Sequence, residues 1–65
     1  MQQPDYLTLT LEASEEDLWA LSQFIKRVGW QEFRSNAVDD AEAYQIRAGV
    51  DALQRALARA GYAPR

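Results

Sequence analysis

Between Asp5 and Ala13 the chain alternates. Tyr6-Leu7-Thr8-Leu9-Thr10-Leu11-Glu12 would place Leu7, Leu9 and Leu11 on one face of a strand and Tyr6, Thr8, Thr10 and Glu12 on the other. Pro4, with no N–H to donate, suits the approach to such a strand. No other stretch of the 65 residues reads this way, and Trp30 to Phe33 is too short. A lone strand leaves a row of unpaired backbone groups, so this segment demands a partner. The cheapest is the same strand of a second copy, paired antiparallel about a two-fold axis. The alternative is a sheet edge on another protein. The expected fold is α+β, mostly α, with the strand at about 6–12 paired across a homodimer through Leu7, Leu9 and Leu11.

Helical signals fill the rest. Ser14-Glu15-Glu16-Asp17 reads as a cap followed by an acidic first turn, with Asp17 in the place of a capping-box Glu. Leu18, Leu21, Phe24, Ile25 and Val28 follow at helical spacing, within a stripe of about 120°. Lys26, Arg27 and Gly29 suggest a C-terminal turn with a left-handed cap. The first helix is expected at about 15–28, with a break or bend near Gly29 and a connector over 29–37. Asp39 or Asn36 caps a second helix at about 39–60. Its face of Ile46, Val50, Leu53 and Leu57 repeats with 4-3-4 spacing, and Phe24 is assigned to the same core. Arg47, Asp51 and Arg55 are placed for i,i+4 ion pairs. Gly61 ends the helix and Pro64 bars its return. Residues 1–65 make one domain, without a repeat or linker.

The chemistry of catalysis is missing from the residue inventory. The chain has no Cys and no His, which removes disulfides, thiolate ligands, the commonest general base and the commonest zinc ligand. It has no glycine-rich phosphate loop, and no base stands ready to activate Ser14, Ser22 or Ser35. Asp39-Asp40-x-Glu42 and Glu15-Glu16-Asp17 read as caps and acidic first turns rather than cation sites. The expectation is a protein that is not an enzyme and takes no metal or cofactor. The net charge of −3 is uneven: residues 1–25 carry five acids and no base. Such a surface suits neither duplex phosphate nor nucleic acid in general. No apolar run reaches the roughly 20 residues of a membrane span, and Met1-Gln2-Gln3-Pro4-Asp5 lacks the basic start of a signal peptide. A cytoplasmic protein without membrane contact is expected.

The aromatic residues point to recognition. Trp, Tyr and Arg are the side chains most enriched at binding hot spots. Trp19 lies off the first helix's stripe, Trp30 sits in the connector, and Tyr44 shares a charged face with Arg47 and Arg55. These five are the candidate binding residues for an unidentified protein partner. Chain length favours a surface patch over a pocket, since so short a chain leaves little room for a cavity of about 300 Å³.

Two resemblances add expectations. A strand followed by two helices, with a ribbon like Tyr6-Leu7-Thr8-Leu9-Thr10-Leu11, is similar to the ribbon-helix-helix repressors. That resemblance implies a dimeric DNA-binding repressor in which Thr8 and Thr10 face bases. The ribbon departs from that family's pattern, with no Arg, Lys, Asn or Gln between Asp5 and Ser14. The tail from Glu42-Ala43-Tyr44-Gln45-Ile46-Arg47 through Ala60-Gly61-Tyr62-Ala63-Pro64-Arg65, about a third of the chain, resembles short proteins of proteobacterial plasmids, integrative elements and phages. This second resemblance implies a mobile-element accessory role. A small acidic module that binds or inhibits a host protein, in an anti-defence or anti-CRISPR-like way, is the leading functional expectation, and the repressor is the alternative.

Overall fold

A computed structural model describes residues 6–63. It contains α1 (Glu15–Arg27), α2 (Trp30–Ser35) and α3 (Asp40–Arg59). The expected strand is absent: among the described residues there is none, so the fold is all-α rather than α+β. Residues 6–13 form a non-helical arm on which Leu7 is 92% and Leu9 93% exposed. The reason is a missing partner. Alternation arranges side chains on two faces, but a strand exists only where a second backbone completes its ladder. The strand-paired two-fold dimer loses its basis with the strand. So does the likeness to ribbon-helix-helix proteins, which rested on the ribbon. The expected roles of Pro4 and Pro64 lie outside the described residues.

Capping explains where the helices begin. Ser14 Oγ accepts a hydrogen bond from the Asp17 N–H at 3.1 Å and starts α1. Asp39, rather than Asn36, caps α3: its Oδ1 accepts from the Glu42 N–H at 2.9 Å. Glu42 reaches back to accept from the Val38 N–H at 3.0 Å. The expected connector is itself partly helical. α1 stops at Val28, whose backbone is extended, and Gly29 starts α2 with φ −141°. Gly29 is therefore not the left-handed cap that the sequence suggested. Its N–H donates to Glu32 Oε2 at 3.2 Å, a local bond that helps hold a six-residue helix too short to persist unaided.

The left-handed turn falls at the far end. Gly61 has φ 96°, the Gly61 N–H bonds the Ala58 carbonyl at 3.0 Å, and the Tyr62 N–H bonds the Leu57 carbonyl at 2.8 Å. This pair of bonds is a Schellman motif, which satisfies the last carbonyls of α3 and folds Tyr62 back over Leu57.

The core is thin. Ile25, Ala43 and Leu57 are the buried apolar side chains among the described residues, joined by Ser22, whose hydroxyl donates to the Trp19 carbonyl at 2.7 Å. α1 and α2 each pack on α3 rather than on one another. Phe24, expected in the core, is 59% exposed. At 100° per residue it stands about 130° from the line between Ser22 and Ile25 that faces α3. Among the described residues no helix is long and apolar enough to cross a membrane.

Candidate functional site

The five sequence-predicted residues fall into two groups at opposite ends of α3. The first surrounds the α2–α3 junction. Trp30, the first residue of α2, lies against Tyr44 in the second turn of α3, with ring centroids 4.7 Å apart and planes inclined by 43°. Arg47 stands one turn on from Tyr44, the spacing at which helical side chains are neighbours. Arg34 Nε donates to Asp40 Oδ1 at 2.6 Å and Arg34 Nη1 to the Ala37 carbonyl at 3.3 Å, which ties the end of α2 to the start of α3. Both rings stay open to solvent, Trp30 at 40% and Tyr44 at 59%. A tilted aromatic pair with a guanidinium beside it has flat apolar area, an indole N–H, a phenol and a cation within one surface. Trp, Tyr and Arg are the side chain types most enriched at binding hot spots in general.

The second group lies near the other end of α3. Trp19 meets Tyr62 edge-on, centroids 5.1 Å apart and planes at 71°. Arg55 lines a small cavity of about 280 Å³ together with Ser22, Ile25, Gln54, Leu57 and Tyr62. Tyr62 joins the cavity to the Trp19 contact, and the sequence reading missed it. The signal was present: a glycine ending a helix and an aromatic just after it mark the hydrophobic contact of a Schellman turn. Trp19, against Tyr62 beyond the end of α3, is thus apart from the Trp30–Tyr44–Arg47 cluster. Arg55 stands about 12 Å from Arg47 and about 16 Å from Tyr44 along the helix at 1.5 Å per residue.

The predicted ion-pair ladder on α3 does not form: Arg47, Asp51 and Arg55 come within ion-pair distance of no carboxylate or base among the described residues. At the start of α3 the carboxylates of Asp39 and Glu42 are occupied as caps, α1 is capped by the Ser14 hydroxyl, and no group of three or more potential metal ligands lies among the described residues.

A third surface is apolar. Leu18 and Leu21 of α1 and Gly49, Ala52, Leu53 and Ala56 of α3 line an open groove of about 760 Å³, with Leu7, Leu9 and Leu11 of the arm along its rim. A Cβ placed on Gly49 would meet nothing within 4 Å.

The whole chain, residues 1–65, matches a family of unknown function, DUF7706, and belongs to it. No curated protein and no solved structure matches.

Proposed function

We propose that this DUF7706 protein is a non-catalytic protein-binding module whose working surface is the Trp30–Tyr44–Arg47 patch at the α2–α3 junction. The observation that carries the reading is the aromatic pair: two large rings in mutual contact that remain substantially solvent-exposed. Rings held against each other lose little freedom on binding, and Trp, Tyr and Arg dominate interface energetics. The absence of Cys and His from the sequence also supports a binding role over catalysis. The resemblance of the tail, residues 42–65, to short mobile-element proteins supports an accessory role, the binding or inhibition of a host protein. The test is affinity capture from a proteobacterial lysate with the wild-type chain and a Tyr44→Ala/Arg47→Ala variant in parallel. A host protein retained by wild type and lost by the variant is the expected result. Equal recovery on both would remove α3's exposed face from the working surface.

A further inference from the structure

A compact folded protein of this mass exposes about 4,200 Å²; this chain of 7.4 kDa exposes 5794 Å². The excess is about twice the roughly 800 Å² that each partner contributes to a standard interface. Exposed apolar side chains contribute to it, among them the leucines of the arm, which lie beside an apolar groove between α1 and α3. The arm lines one side of its own groove without filling it: Leu7 and Leu9 stay almost wholly exposed.

We propose that the arm of one copy of this chain seats its leucines in the α1–α3 groove of a second copy, and reciprocally, to form a two-fold dimer. Length fits. Drawn out, Tyr6 to Leu11 reaches about 17 Å, and the groove floor along α3 from Gly49 to Ala60 is about 16 Å long. Character fits as well: residues 6–11 carry no charge, and the α3 side of the groove is Gly49, Ala52, Leu53 and Ala56, with Arg59 as its charged residue. Gly49 leaves that floor open where a foreign side chain would lie.

Area selects a second copy over an unrelated peptide. At roughly 100 Å² for each buried leucine, one arm contributes about 250 Å² and covers a like area of groove. One such contact falls well short of the roughly 1,000 Å² that a specific interface needs. A two-fold axis uses the contact twice and reaches it. This docking needs side chains in a groove and no backbone ladder.

The experiment is sedimentation equilibrium of the full chain from micromolar to millimolar concentration, with circular dichroism alongside. Wild type should be a dimer. Leu7→Lys/Leu9→Lys on the arm and Ala52→Glu/Ala56→Glu on the groove floor should each weaken association by at least about tenfold, 1.4 kcal/mol. All four positions are exposed in the protomer, so helical content should hold. If a variant nevertheless loses helix, the wild-type Tm decides: it rises with protein concentration for a dimer that supports its own fold and supports the proposal. A concentration-independent Tm, a wild-type chain monomeric throughout, or variants that dimerise as tightly as wild type would overturn it. The arm and groove share no residue with the Trp30–Tyr44–Arg47 patch, so either reading can fail without the other.

Discussion

Gly61 occupies a backbone position that an L side chain adopts only with strain. Its φ of 96° turns the chain so that Tyr62 returns to Leu57 and meets Trp19. Gly61→Ala should therefore cost about 1–2 kcal/mol, read from urea unfolding, and should change the Trp19 fluorescence of the folded state. A loss near zero would mean that the turn relaxes without moving Tyr62. The patch residues behave differently. Arg47 is exposed, so Arg47→Ala should stay within about 0.5 kcal/mol of wild type in stability. Tyr44→Ala gives up the contact with Trp30, about 0.5–1.5 kcal/mol. Each should weaken partner binding by at least about 1 kcal/mol, measured by calorimetry once a partner is in hand.

Among the helices, α3 carries the core, but only part of its 4-3-4 stripe is buried. Leu57 is 5% exposed, whereas Leu53 is half-buried on the groove floor. Leu57→Ala should lose about 2–5 kcal/mol, and Leu53→Ala distinctly less in the monomer. Equal losses in thermal or urea unfolding would show that the groove is filled in solution. These elements also mark how far the sequence can be read. The starts of α1 and α3 were legible in Ser14 and Asp39, because a cap is a local hydrogen bond made within three residues. The end of α3 was legible in Gly61 for the same reason. The arm was not, because Leu7, Leu9 and Leu11 state a periodicity and say nothing of the backbone needed opposite them. Phe24 satisfied the helical spacing, yet α1 leans on α3 through Ser22 and Ile25, a rotation that only the packing partner decides. α2 escaped notice because six residues are too few to display a period. At the candidate site, the grouping of the five residues was not legible, since Tyr44 and Arg55 share a helix face yet lie about 16 Å apart along it.

At the scale of the whole molecule, charge sets an expectation for nucleic acid. With a net charge of −3 and five acids in its first 25 residues, the chain should show no submicromolar affinity for duplex DNA near ~150 mM salt. Fluorescence anisotropy with a labelled duplex measures this, and tight binding to a defined operator would restore the repressor reading. The radius of gyration, 13.2 Å, exceeds the roughly 11 Å of a compact chain of this length.

One further consequence follows from the placement of α1 and α2 on α3 but not on each other. The molecule resembles a beam loaded at two separate points, joined otherwise only by the short connection Val28–Gly29. With no packing between α1 and α2, cooperativity has α3 and that connection as its routes, and the two ends are free to open as separate units rather than in one all-or-none event. Each end carries its own reporter, Trp19 against Tyr62 and Trp30 against Tyr44. In Trp19→Phe and Trp30→Phe, one tryptophan remains to follow one end, and the two denaturation midpoints should differ by more than either substitution shifts the circular dichroism midpoint. Coincident midpoints would instead make α3 a rigid coupler, through which whatever grips one end is felt at the other.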